Sequence, residues 1–250
     1  VEQSFGFNRM TRGMWLMDLL KNTVLSAILG IPLLYAVLAF MRLFSDTWWF
    51  WAWALFLGFN VLMLWLYPTL IAPLFNKFTP LPDGELKTRL EALLQRCGFS
   101  SNGMFVMDGS RRSGHGNAYF TGFGRNKRIV FFDTLLAQLT EPQIEAVLAH
   151  ELGHFHHKHI LKRMAWMLPL SLGGFALLGF LVNKMWFYAG LGVSDDFALL
   201  DSLAQQPTQL FAVGLLLFSL VQPVFLFIFT PIFSLQSRKD EFEADAFEEK

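Results

Sequence analysis

His150, Glu151 and His154 stand as HELGH within VLAHELGHFHHKHILKRMAWMLPL, residues 147–170. On a helix, imidazoles four positions apart stack on one face, close enough to share a tetrahedral zinc ion. Glu151 then falls beside the metal. In sites of this type the glutamate takes a proton from the attacking water, while the metal lowers that water's pKa and polarises a peptide carbonyl. The expected chemistry is peptide hydrolysis, with one zinc per chain and Glu151 as general base.

Zinc needs a third protein ligand and leaves the fourth position for water. A metzincin would carry Gly at 157 and His at 160, where this chain has His157 and Ile160. His157 lies about 10 Å along the helix axis from His150, so three-way convergence is awkward. His156, His157 and His159 read as polar residues at a membrane edge, with secondary metal binding as their other use. Acids reappear near the end, in SRKDEFEADAF, residues 237–247. Glu241 and Asp245 share a helix face, so one can bind zinc while the other orients a ligand imidazole. Spacing alone leaves Glu243 as a competitor.

These residues must be positioned by a very apolar chain. Of 250 residues 54% are hydrophobic and 16% charged, with 28 Phe and 8 Trp, which excludes an ordinary soluble domain. Net charge is zero, so no global field points to nucleic acid. Cys97 is the one cysteine, which excludes an internal disulfide and a multi-cysteine metal site and suits a small buried hydrophobe. Val1 in place of Met, and a terminal EADAFEEK with no helix stop signal, read as a fragment.

Four charge-free stretches, residues 24–41, 48–73, 164–182 and 210–235, reach the roughly 20 residues that cross a bilayer as a helix. Pro32, Pro68, Pro169 and Pro223 should kink them. Trp48, Trp49, Trp51 and Trp53, with Trp166 and Trp186, read as interfacial belts. Every Lys and Arg except Arg42 and Lys184 falls on one side of a four-span topology, so that side is expected to be cytoplasmic and to carry the zinc site. Asp195, Asp196 and Asp201 fall on the other side, out of reach of the histidines. The expected fold class is mainly α: polytopic membrane helices with a small α+β zinc-protease insert. Its parts are an N-terminal membrane region with two spans at 1–75, a cytoplasmic insert carrying the HELGH helix at 76–162, two further spans at 163–235, and a cytoplasmic helix with the third ligand at 236–250.

Within the insert, Asp83 can cap a helix whose Leu86, Leu90, Leu93 and Leu94 share a face and which ends before Gly98. MFVMD (104–108), NAYFTGF (117–123) and RIVFFD (128–133) read as short strands, the last two joined by the turn-like GRNK. Thr140 and Gln143 form a capping-box pattern that opens the histidine helix.

HELGH followed two spans later by EFEAD resembles the integral-membrane zinc proteases of the type-I CaaX prenyl endopeptidase family. PTLIAPLFNKFTPLPDGEL and DGSRRSGHGNAYFTGFGRNKRIVFFDTLL are similar to that family too, so the resemblance covers nearly the whole chain. It implies that His150, His154 and Glu241 are the ligands and Glu151 the base, which leaves Asp245 to orient an imidazole. It also implies that Asn117 and Ala118 belong to an edge strand that holds the substrate backbone, and that a further His and Arg assist the transition state beyond Lys250. The implied partners are membrane lipid and a peptide or protein substrate, lipidated in the CaaX reading, with no nucleic acid. The expected setting is a bacterial inner membrane, or the endoplasmic reticulum in a eukaryote. Two other readings are an HtpX-like quality-control protease and a non-catalytic transporter or scaffold. For transport the spans offer little beyond Asn60 and Gln222.

Overall fold

A computed structural model of the chain describes residues 4–44, 46–99, 101–121, 127–193 and 207–248. In chain order the elements are α1 (Arg12–Leu43), α2 (Trp48–Leu66), a π-helical turn (Tyr67–Ile71), α3 (Ala72–Phe75), β1 (Phe78–Pro80), α4 (Glu85–Arg96), β2 (Met104–Met107), a 3₁₀ turn (Gly109–Arg111), β3 (Ala118–Thr121) and β4 (Arg128–Phe132). Then follow α5 (Asp133–Gln138), α6 (Glu141–His156), α7 (His159–Leu181), α8 (Met185–Gly190) and α9 (Pro207–Glu248). The chain is mainly helical, with one small mixed sheet. It divides into two compact units, one of Val1–Asn22, Asn60–Ile160 and Arg238–Lys250, the other of Thr23–Phe59 and Leu161–Ser237.

Among the described residues, four helices are long and apolar enough to cross a membrane: Arg12–Leu43, Trp48–Phe75, His159–Leu181 and Gln209–Phe247. Each extends past the charge-free stretch expected for it, because a helix does not end where its polar residues begin. Pro32, Pro169, Pro223 and Pro231 lie inside continuous helices. Pro68 sits in the π-helical turn, where the i→i−4 ladder is already broken and a missing N–H costs least.

In the second unit Met41, Trp48, Ala52, Leu178 and Val182 form a buried cluster. This corrects the belt reading for Trp48. Trp48 is 1% exposed, and the Trp53 indole N–H donates to Ser171 Oγ at 3.1 Å. Trp49 packs so closely on Gly179 that a β-carbon there would stand 2.7 Å from its ring. An indole buries more apolar area than any other side chain, and a glycine on a facing helix admits it to the core. Trp51, Trp166 and Trp186 stay exposed. Asp195, Asp196, Asp201 and most of GRNK lie outside the described residues.

In the first unit the sheet has the order β1-β2-β4-β3. The β2–β4 pair is parallel, with Phe105 opposite Val130, and the outer pairs are antiparallel. Leu90, Leu93 and Leu94 of α4 and Ile144, Leu148 and Leu152 of α6 pack with Phe131, Ile129 and Met104 of the sheet in one core. Cys97 is partly buried against it. The Arg89 guanidinium joins α4 to α6 by donating to Glu145 Oε2 at 2.7 and 3.1 Å. Strand β1 adds to the three strands read from the sequence, and it ends in Pro80. It fits because an edge strand leaves one side of its backbone unpaired. Asp83 does not cap α4. Gly84 is the N-cap residue, and Asp83 accepts from Lys87 Nζ at 2.6 Å, an ion pair that holds its carboxyl below the usual range.

Candidate metal centre

Helix α6 opens with the capping box expected of Thr140 and Gln143; the Thr140 N–H donates to Gln143 Oε1 at 2.9 Å. Its apolar stripe of Ile144, Leu148 and Leu152 is buried against the sheet, which turns His150, Glu151 and His154 toward the last turns of α9. The approach of α6 to α9 is very close. A β-carbon on Gly153 would lie 2.9 Å from both Cα and O of Ala244, which is fully buried.

Two imidazoles and one carboxylate converge there. His150 Nε2 and His154 Nε2 are 3.2 Å apart, and Glu241 Oε2 lies 3.3 Å from the first and 3.5 Å from the second. Donors held 2.0–2.2 Å from one tetrahedral zinc ion stand about 3.3–3.6 Å from each other, so the three atoms fit a zinc ion. Asp245 Oδ1 accepts from His150 Nδ1 at 2.8 Å, which leaves Nε2 of that ring bare toward the other two ligand atoms.

Burial pushes the Glu151 carboxyl above its ordinary range, with a smaller push from Glu241 and an opposing pull from His150. Burial likewise holds His154 below its ordinary value, the neutral state a metal ligand requires. Both shifts have burial as their largest cause, and they place a carboxyl with a raised pKa beside an imidazole with a lowered one in a single low-dielectric site.

Glu243, the competitor on spacing, faces elsewhere: its Oε2 lies 3.0 Å from His159 Nε2 and 3.9 Å from His157 Nδ1. His159 corrects the reading of the trailing histidines as interfacial polar residues. It is 2% exposed, with Nδ1 at 2.9 Å from His154 Nδ1. The cause is Lys158, whose φ of 55° turns the chain between α6 and α7 so that the next side chain points back. His156 stacks on Phe247 at 4.9 Å. The signal that could have found His159 is the break implied by a run of polar histidines just before an apolar span.

Ala118 is buried in the core that includes Leu148 and Leu152, while Asn117 is exposed just ahead of β3. Strand β3 has β4 on one side and ends the sheet on the other. The Phe132 N–H donates to Asn117 O at 2.9 Å, so by antiparallel alternation Tyr119 and Thr121 also pair inward, and Ala118 and Phe120 turn their backbone groups to the open edge. Asn117 Oδ1 accepts the Ala118 N–H at 2.9 Å.

The segment before β3 is heavily braced. Ser110 N–H donates to Asp133 Oδ1 at 2.8 Å and its hydroxyl bonds the other oxygen, Thr134 Oγ1 donates to His115 O at 2.8 Å, and Arg112 pairs with Asp18 at 2.9 Å. Gly109 admits Phe132, whose ring would stand 2.6 Å from a β-carbon there.

The fold and the convergent imidazoles and carboxylate, which could hold a metal ion, are those of a polytopic integral membrane protein of the metallopeptidase class. The chain belongs to peptidase family M48, whose family model matches residues 80–248. A second family model, described as CAAX prenyl protease N-terminal, five membrane helices, matches residues 1–77. CAAX prenyl protease 1 of Saccharomyces cerevisiae is 37% identical over 100% of this chain and 56% of its own length. The Dictyostelium discoideum CAAX prenyl protease 1 homolog is 38% identical over 99% of this chain and 56% of its own. The crystal structure of S. mikatae Ste24p superposes with a TM-score of 0.86 at 35% identity, covering 99% of this chain and 58% of that one. The chain thus spans little more than half the length of these relatives.

Proposed function

We propose that this chain carries the zinc centre and peptide-binding edge of a membrane zinc endopeptidase that cleaves CaaX-type prenylated peptides near their C-terminus. The observation that carries the reading is the set of three ligand atoms at 3.2, 3.3 and 3.5 Å from one another. His150, His154 and Glu241 hold one zinc per chain. When bound, zinc polarises the scissile carbonyl and lowers the pKa of the attacking water.

Glu151 supplies the proton traffic. Its raised pKa lets the carboxylate accept a proton from water at Oε and return it to the leaving amine nitrogen. Asp245 holds His150 by its Nδ1–H and so keeps the ligand nitrogen aimed. The outward groups of Ala118 and Phe120 offer an extended substrate a main-chain ladder, which presents the scissile bond straight. In this reading residues 76–162 and 236–250 form the catalytic part, borne by the membrane regions at 1–75 and 163–235. The distribution of Lys and Arg supports a cytoplasmic position for that part, where a prenyl chain would concentrate substrate at the bilayer.

The names of the relatives favour prenyl-peptide cleavage over membrane-protein quality control. The test is zinc content together with hydrolysis of a farnesylated CaaX peptide, its unmodified form and a denatured membrane protein. One zinc per chain and a strong preference for the farnesylated peptide are expected. Equal cleavage of both peptides, with faster cleavage of the denatured protein, would replace this reading by the quality-control one.

A further inference from the structure

Nothing in the roles assigned so far accounts for His159. It is nearly fully buried, reached only through a residue at positive φ, and touches His154 on one side and Glu243 on the other. Burying a third imidazole at that backbone cost needs a return, and the hydrogen-bond directions show one.

With His159 neutral, the carboxylate end fixes the direction of each bond. An ionised carboxylate only accepts, so His159 Nε2, 3.0 Å from Glu243 Oε2, carries a hydrogen and donates it. Asp240 Oδ1, 3.8 Å from the same nitrogen and itself buried, adds negative charge on that side. In a neutral ring Nδ1 is then bare and accepts. Its neighbour at 2.9 Å, His154 Nδ1, must supply the hydrogen, and His154 Nε2 is left bare on the side of His150 and Glu241.

We propose that His159 is a positioning residue which, through Glu243, sets the tautomer and ring orientation of His154 and so tunes the metal affinity of the centre. This rests on the reading that His150, His154 and Glu241 hold zinc. The two ligand imidazoles are oriented by different devices, His150 by Asp245 directly and His154 through His159, and one helix, α9, supplies both carboxylates and Glu241.

The same atoms allow a competing use, since ligand atoms of His157, His159 and Glu243 all lie within 4.8 Å of one another and could hold a metal ion. A metal on His159 Nε2 would move that ring's hydrogen to Nδ1 and force one onto His154 Nε2, closing the first site. The relay and a second metal therefore exclude each other.

The test measures zinc stoichiometry and affinity on the full chain in detergent, by competition with a chelator. His159→Asn keeps an acceptor oxygen where Nδ1 stood, and His159→Leu removes it. Affinity should fall roughly 10- to 100-fold in His159→Leu, the usual range for loss of a partner behind a ligand, and return most of the way in His159→Asn. Glu243→Gln, whose amide oxygen still accepts from Nε2, and Glu243→Leu should repeat the contrast, and they carry the test if His159→Leu does not fold. Equal affinity in the Asn and Leu variants, or wild-type affinity in both, would overturn the relay. So would two zinc ions per wild-type chain. A wild-type chain without zinc, or zinc that survives His150→Ala, would instead sink the metal-centre reading itself.

Discussion

Gly153 and Ala244 meet with no room for a β-carbon between them, 2.9 Å separating the place such an atom would occupy from the Ala244 backbone. This contact sets the spacing between the helix that bears the histidines and the helix that bears Glu241. Gly153→Ala must therefore push α6 and α9 apart. Thermal unfolding should show a loss of about 1–3 kcal/mol, the usual cost of overpacking, and zinc content should fall with it. Gly13→Ala, where nothing lies within 4 Å, is the control and should leave zinc unchanged.

Glu151→Gln should retain zinc and lose peptide hydrolysis by about 100-fold or more, since it removes the base but neither imidazole. Metal analysis beside a cleavage assay separates the two effects. Zinc loss equal to that of His150→Ala would remove Glu151 from the role of base.

The raised pKa of Glu151 also predicts a pH effect on the metal-free chain. As pH rises from the ordinary Glu range toward the raised folded value, the unfolded chain gives up this proton first. The native state then binds more protons than the unfolded state, so stability falls with rising pH across that window. Melting temperatures of chelator-treated wild type and Glu151→Gln, compared over the window, should diverge as pH rises, with the variant flatter. Parallel curves would argue against burial as the source of the shift.

Glu241→Ala should release zinc more completely than Glu243→Ala, because Glu241 Oε2 lies 3.3 and 3.5 Å from the two imidazoles whereas Glu243 reaches them only through His159. Metal content after dialysis decides the order. The reverse order would move the ligand two residues along α9.

At the sheet edge, Asn117→Pro removes a backbone N–H and fixes φ at the entry to β3, yet keeps the carbonyl that Phe132 uses. Cleavage should drop about tenfold while zinc content holds, since an extended substrate relies on this edge for main-chain pairing. Loss of zinc together with activity would show that the substitution disturbs α6 rather than the edge.

What the sequence by itself determined is what depends on near neighbours along the chain. Stacking of His150 on His154 follows from the 3.6-residue turn, the start of α6 from Thr140 and Gln143, and the four spans from charge-free length. The strands in MFVMD, NAYFTGF and RIVFFD were legible as β-prone runs, though not the parallel pairing of β2 with β4. Tertiary structure decided which of several equivalent neighbours is used. Glu241 and Glu243 sit two positions apart on one helix and so point about 200° apart; the rotation of α9 that aims the first at the histidines is set by Ala244 seating on Gly153. Trp48 goes into the core and Trp51 does not, because burial depends on which face meets Leu178 and Val182. His159 turns inward because Lys158 takes a left-handed conformation that no spacing rule assigns to a lysine. Periodicity places side chains on an element, and only packing against distant parts of the chain fixes how that element is turned.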